Sequence, residues 1–241
     1  CEDGVDIRTY RVASSAMSSS APGHFLPCTI TYLEMMRPPQ LPPLRQPGVR
    51  TKLLRAENPP VAFYRFLYDA VGRNWLWTDR KRMGDRQLRE IIQHERVEIY
   101  VLYATGCPAG YAELDRRKED VIHLSYFGLL PEYIGMGLGA YLLNWVVLYC
   151  WEQSPKRVWV NTNNFDHPRA LPLYQRMGFV PYSRRTVYID PDPDPKPPSD
   201  DCSGFEHRRS SSSHSGVGRA RPAKVLLDPM KQDTKIVTAG R

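Results

Sequence analysis

The most constraining feature of the chain is the passage from Val121 to Gln153. An apolar, strand-like run (Val121–Leu130) meets Pro131, crosses the cluster Gly135-Met136-Gly137-Leu138-Gly139 and enters a long apolar stretch to about Gln153. A strand, a glycine-rich turn and a helix in that order let main chain approach a ligand closely. The first-turn N–H groups of the helix then point outward with the positive end of its dipole. Such a turn binds phosphate, or serves only as a tight strand-to-helix connection. The run from Leu138 to Trp151, broken by Asn144, is shorter than the ~20 apolar residues a bilayer span requires, so it suits a buried helix. Leu138, Leu142, Trp145, Val146 and Tyr149 form its expected buried stripe.

Two phosphate-binding designs fit poorly. Gly135-x-Gly137-x-x-Ala140 satisfies the dinucleotide fingerprint, which expects an acidic residue at the end of the next strand. That strand ends Val160-Asn161-Thr162-Asn163-Asn164 without one, and a hairpin precedes the loop where a βαβ array would begin. A P-loop is excluded because no Gly-Lys-Ser/Thr occurs.

Around this feature the pattern is α/β. Thr29–Met35 suits a strand, and a Pro-rich connection (Pro38–Pro47) leads to an aromatic, helix-like stretch from Val61 to Trp77. Asp85 opens a short helix, and Val97–Ala104 and Ala109–Leu114 form a hairpin about Thr105-Gly106-Cys107-Pro108. Arg157–Asn161 is a further strand, Pro168–Met177 a short helix stopped by Gly178, and Phe179–Ile189 the last strand. Residues 191–198 read PDPDPKPP and residues 203–218 are rich in Ser and Gly, so neither stretch buries enough to fold. The expected organisation is a flexible segment 1–27, a folded domain 28–190 and a flexible tail 191–241, in which the few apolar residues of Val225–Met230 are only a weak docking signal.

Of the net charge of +7, most falls between Thr29 and Asp190, with 22 basic against 16 acidic residues. The surplus is spread without a basic run, which suits a solvated surface better than nucleic-acid binding and leaves nucleic acid as an alternative partner. The five cysteines at 1, 28, 107, 150 and 202 include no CxxC pair and read as reduced thiols, neither a disulfide framework nor a zinc site. The first twenty residues lack the apolar stretch of a secretory signal, so cytoplasm is the expected compartment and no membrane partner is expected.

The run LLPEYIGMGLG (residues 129–139), followed by a helix, resembles motif A of the Gcn5-related N-acetyltransferase (GNAT) superfamily. Ala170, Tyr174, Gly178 and Phe179 fit that family's second motif, Ala-x-x-x-Tyr-x-x-x-Gly-Phe, in the correct order behind it. The phrases YFGLLPEYIGMGLG and DHPRALPLYQRMGFVPY look like a bacterial branch, and the likeness covers most of residues 28–190. The resemblance implies an α-β-α sandwich, with a mixed, mostly antiparallel central sheet whose fourth and fifth strands splay to admit acetyl-CoA. By matching positions, the N–H groups of Gly135, Met136, Gly137, Leu138, Gly139 and Ala140 would cradle the pyrophosphate, and the main chain of Leu129 and Leu130 would hold the pantetheine and thioester. The family usually has Gln or Arg where this chain has Ile134.

The implied reaction is acetyl transfer from acetyl-CoA to a primary amine of a small molecule or peptide, directly and without a metal. It requires a donor for the thioester oxygen, an acid for the departing thiolate and a base for the incoming ammonium. The N–H of Leu129 is the candidate donor and Tyr174 the acid, with a core tyrosine as the structural reading of the latter. His123, on the face shared with Ser125 and Phe127, and Glu113, on the preceding hairpin strand, are the candidate bases. Asp166 and His167 stand where the family often has an Asn that contacts the cofactor, and Asp166 equally suits a helix N-cap ahead of Pro168. Pro172 then calls for a kink or a later helix start. Trp75 and Trp77, closing an aromatic segment with Phe63, Tyr64, Phe66 and Tyr68, are candidate walls for the acceptor. A GNAT-fold module that binds acyl-CoA without transferring it is the second reading, and a nucleic-acid-binding protein the third.

Overall fold

The computed structural model describes residues 25–189. The strands are β1 (Leu26–Met35), β2 (Thr51–Arg55), β3 (Val97–Ala104), β4 (Cys107–Asp115), β5 (Val121–Leu129), β6 (Arg157–Asn163) and β7 (Val180–Ile189). The helices are α1 (Val61–Gly72) and α2 (Asp85–Ile92) between β2 and β3, α3 (Leu138–Glu152) before β6, and α4 (Ala170–Arg176) after it. The segments expected to be flexible, 1–27 and 191–241, lie outside the described residues except for 25–27. Of these, Leu26 and Pro27 already belong to β1, opposite Ile189 and Tyr188 of β7.

The strands form a seven-stranded sheet in the order β2-β3-β4-β5-β6-β1-β7, antiparallel throughout except between β5 and β6. Period-two alternation distributes the strands' side chains between two cores. On β3, Tyr100, Leu102 and Ala104 join the cluster that includes Leu138, Leu142 and Val146 of α3 and Tyr174 of α4. Ile99 and Val101 join the other, with Tyr64, Leu67 and Tyr68 of α1 and Leu88 and Ile92 of α2. The result is a sheet covered by helices on both faces. No helix among the described residues is long and apolar enough to cross a membrane.

The hairpin turn is tighter than the four residues the sequence suggests. Thr105 and Gly106 both take positive φ (52° and 95°), the two-residue form whose twist matches the flanking strands, so β4 begins at Cys107. β2 has no counterpart among the sequence expectations. It is a short edge strand paired only with β3, and its residues Thr51-Lys52-Leu53-Leu54-Arg55 carry no clean alternation. In α3 burial extends beyond one stripe to Leu143, Asn144, Val147 and Cys150, while Trp145 and Tyr149 are half-buried. Asn144 is satisfied there: its Oδ1 accepts from Leu44 N at 3.0 Å and its Nδ2 donates to the Pro42 carbonyl at 3.2 Å. The one polar break in the apolar run thus ties the Pro-rich connection onto the helix.

β5 and β6 pair only from Val121/Arg157 to Leu124/Val160. β5 continues along β4 to Leu129 and β6 continues along β1 to Asn163, so the two strands part beyond Leu124 and Val160. In this chain the splayed strands are the fifth and sixth, because β2 adds one strand to the expected count.

Candidate active site

The gap between β5 and β6 opens into a cavity of about 1120 Å³, above the roughly 300–1,000 Å³ usual for small-molecule pockets and roomy enough for more than one reactant. At one end lies the glycine loop. A single 3-10 turn, Pro131–Tyr133, reverses the chain after β5. Gly135 (φ 93°) and Gly137 (φ 77°) then carry it into α3 through left-handed conformations that disfavour any other residue. Gly137 caps α3 without a side-chain hydrogen bond, and the first helical bond runs from Tyr141 N to Gly137 O at 3.2 Å. The N–H groups of Leu138, Gly139 and Ala140 therefore have no partner within the helix.

A Cβ added at Gly135 or Gly137 would meet nothing within 4 Å, so the space over the loop is open. Ile134, Gly135, Gly137, Gly139 and Ala140 line the cavity. Met136 is 45% exposed and the Leu138 side chain is fully buried in the core, so these two have only main chain to offer. A pyrophosphate fits this set: unpaired amides, the positive end of a 15-residue helix and no acidic side chain in its first turn.

Leu129 and Leu130 differ. Leu130 N donates to the Ala109 carbonyl of β4 at 2.9 Å, and the Leu130 carbonyl accepts from Tyr133 N at 3.0 Å. Both of its main-chain groups are engaged, which argues against the expected contact with pantetheine. Successive amides of a strand point to opposite edges, so Leu129 N–H faces the open edge of β5, and Leu129 lines the cavity. Tyr174 also lines it, its ring edge-on to Phe127 and Phe179 at 6.1 and 5.9 Å. Among the described residues its hydroxyl has no hydrogen-bond partner. Burial, and secondarily the nearby Asp166, push the phenol well above its ordinary pKa, so it is fully protonated at neutral pH.

His123 sits where the splay begins. Its imidazole lies flat on Trp159 with 3.6 Å between centroids. Asn161 Oδ1, an acceptor, faces Nε2 at 3.3 Å, and the Ser125 hydroxyl lies 3.1 Å from Nδ1. This arrangement puts the proton on Nε2 and makes Nδ1 the acceptor of the Ser125 hydroxyl. Burial lowers the His123 pKa to about 4, so the ring is neutral and a weak base at pH 7. Glu113 is fully buried and does not reach the cavity. Its Oε1 accepts from Arg80 Nη2 at 2.6 Å and its Oε2 from the Tyr64 hydroxyl at 2.5 Å. It is the buried counter-ion of Arg80, which does not suit it to the role of base.

Trp75 and Trp77 both line the cavity. Trp77 spans it: its ring lies 5.3 Å from Tyr126 of β5, and its Nε1 donates at 3.2 Å to Asp166 Oδ1, beyond β6. Gly72 must be glycine for this, since a Cβ there would come within 2.6 Å of the Trp77 side chain. Trp75 adds an edge contact to His167 at 5.2 Å. Asp166 is not a helix cap. Its other oxygen accepts from Thr162 Oγ1 at 2.8 Å and Asn163 N at 3.0 Å, and α4 starts later, at Ala170, behind Arg169. That start puts Pro172 in the first turn, where its missing N–H costs no helical bond.

One cavity residue was missed in the sequence. Asp79, directly after the Trp75–Thr78 run, lines the cavity beside Tyr126, and burial lifts its pKa to about 6. An acid following an aromatic cluster is the only local signal it leaves. No group of three or more His, Cys, Asp or Glu among the described residues could hold a metal ion.

Residues 64–179, which include both glycine-loop flanks and Tyr174, match the acetyltransferase (GNAT) family. The chain is 29% identical over 107 residues to uncharacterized N-acetyltransferases of Mycobacterium tuberculosis (strain H37Rv) and Mycobacterium bovis, an alignment covering 44% of this chain and 68% of each relative. The GCN5-related N-acetyltransferase from Sphaerobacter thermophilus shares the fold, with a TM-score of 0.52 at 16% identity over 70% of this chain. The chain spans 54% of that structure's length.

Proposed function

The chain belongs to the GNAT superfamily, and from that premise we propose that it moves an acetyl group from acetyl-CoA directly to a primary amine of a small molecule or peptide. The observation that carries the reading is the open glycine loop at the end of a gap between two diverging strands. Acetyl-CoA bound there supplies a thioester whose carbonyl carbon is open to attack by an amine.

The protein's own groups divide the work. Gly137, Leu138, Gly139 and Ala140 hold the pyrophosphate through main-chain N–H groups. Leu129 N–H, directed into the gap, donates to the carbonyl oxygen as charge builds on it. Tyr174 gives its proton to the departing sulfur. Because burial makes this phenol a weaker acid, it releases that proton in step with receiving one from the attacking nitrogen. His123 holds Ser125 and Asn161 at the fork as a neutral ring.

A free-thiol assay with acetyl-CoA and a panel of amines, peptides and aminoglycosides tests the reading. Wild type releases thiol, and Tyr174→Phe lowers kcat about 10²–10⁴-fold with acetyl-CoA affinity kept. Acetyl-CoA binding without thiol release by the wild type would instead favour a binding module of the same fold. Equal release by Tyr174→Phe would remove the acid assignment alone.

A further inference from the structure

We propose that Asp79 is the acceptor's anchor and its general base: its carboxylate binds the ammonium of a primary amine carried on an aromatic body and removes the proton that blocks attack. The inference rests on the acetyl-transfer reading for the identity of the second reactant, and on the following geometry for the residue.

Three carboxylates line the cavity: Asp79, Asp115 and Asp166. Asp115 is taken by Arg117, whose Nε and Nη2 reach it at 3.0 and 2.6 Å. Asp166 is taken by Thr162, the Asn163 amide and Trp77. Asp79 lies beside Tyr126, and among the described residues no cation forms a salt bridge with it. The groups facing it are Tyr68 from α1, Tyr126 from β5 and Cys28 from β1, with Arg80 and Arg82 on its own loop. Arg80 is spent on Glu113 at 2.6 Å, and Arg82 is exposed.

The wall beside Asp79 is aromatic. Tyr68, Trp77 and Tyr126 contact one another with centroids 5.1 to 5.3 Å apart. The Arg80 guanidinium lies over the Tyr126 ring at 5.1 Å; a carboxylate without a salt-bridge partner beside the remaining aromatic surface attracts an alkylammonium, and the rings give an aromatic substituent a surface to pack on. The pKa near 6 keeps Asp79 mostly ionised at pH 7 yet far more basic than an ordinary carboxylate, which suits proton removal. The protons balance. Asp79 takes one from the ammonium and returns it to water through the cavity mouth. As the N–C bond forms and the C–S bond breaks, the nitrogen loses its second proton to Tyr174 while Tyr174 protonates the thiolate.

The test uses the full chain with phenethylamine, an ammonium at pH 7, and aniline, which is neutral there. Wild type is expected to bind phenethylammonium by calorimetry, with kcat/KM for it rising through a limb near pH 6. Asp79→Asn is expected to abolish that binding and that limb, to lower kcat/KM about 10²–10⁴-fold, and to lose far less with aniline, which needs no proton removed before attack. Acetyl-CoA affinity and melting temperature no lower than wild type certify its fold, and Asp79→Glu retains the limb as a second variant. Failure of the wild type to bind phenethylammonium, an unchanged limb in Asp79→Asn, or equal losses with both amines would each overturn the assignment. Binding that depends on Asp79 without any thiol release would instead leave the anchor standing and remove the acetyl-transfer reading.

Discussion

Glu113→Gln separates a structural carboxylate from a catalytic one. Glu113 is fully buried between Arg80 Nη2 at 2.6 Å and the Tyr64 hydroxyl at 2.5 Å. Glutamine has nearly the same shape. Its carbonyl oxygen accepts from Arg80, its amide donates to the Tyr64 oxygen, and the count of hydrogen bonds survives. What is lost is the counter-charge, and a guanidinium does not deprotonate to escape. Removing one partner of a buried ion pair costs about 3–5 kcal/mol, a large share of the roughly 5–15 kcal/mol that stabilises a typical domain. At about 2–4 °C per kcal/mol for this size, the melting temperature falls by roughly 10 °C. Thermal unfolding by circular dichroism reads that shift, and kcat per folded molecule stays near wild type. Replacing the group with Glu113→Leu, Arg80→Met and Tyr64→Phe together recovers most of the stability, because no charge or donor is then stranded. A Glu113→Gln protein that melts like wild type but has lost its kcat would refute the argument and return Glu113 to the chemistry.

Gly137→Val places a β-branched residue at φ 77° and is expected to weaken acetyl-CoA binding at least tenfold by titration, while Gly48→Ala, outside the cavity lining and with nothing within 4 Å of its Cβ, leaves it unchanged; equal affinities would count against the cradle. His123 and Asp79 make opposite contributions to stability against pH. The folded His123 pKa, lowered to about 4, lies below its unfolded value near ~6.5, so its contribution of about 3 kcal/mol is present above pH 6.5 and lost as pH falls toward 4. Asp79, raised to about 6, binds more protons folded than unfolded between its two pKa values, so it favours the fold as pH drops through that window. Urea unfolding from pH 4 to 7 therefore shows a shallow profile for wild type, a stability that decreases with pH for His123→Gln, and one that increases with pH for Asp79→Asn; parallel profiles would exclude this pairing.

What could be read in advance was local. The glycine cluster between an apolar strand and an apolar helix announced its own geometry, and the Thr105–Pro108 turn residues marked a hairpin, though the β-branched Thr105 at positive φ hid that the turn is only two residues long. β2 escaped because a half-exposed edge strand such as Thr51–Arg55 needs no alternation to pair. The helix start expected at Pro168 moved to Ala170 because Asp166 spends its oxygens on Thr162, Asn163 and Trp77 instead of on a cap. Glu113 reads as a candidate base until Arg80, from the loop between two helices, is seen beside it. Asp79 stayed hidden for the converse reason: its significance lies in the cation it lacks, and counter-ions are assigned by tertiary folding.

The short parallel pairing of β5 with β6 has a mechanical consequence. Four residues of ladder, Val121–Leu124 against Arg157–Val160, are the only strand pairing between the half-sheet β2-β3-β4-β5 and the half-sheet β6-β1-β7. The core under α3 binds the two half-sheets along one face, and on the other the indole of Trp77 bridges the gap to Asp166. A molecule lodged between the parted strands takes the place of the missing rungs of the ladder, so its arrival should slow amide exchange along the open edges of β5 and β6 together.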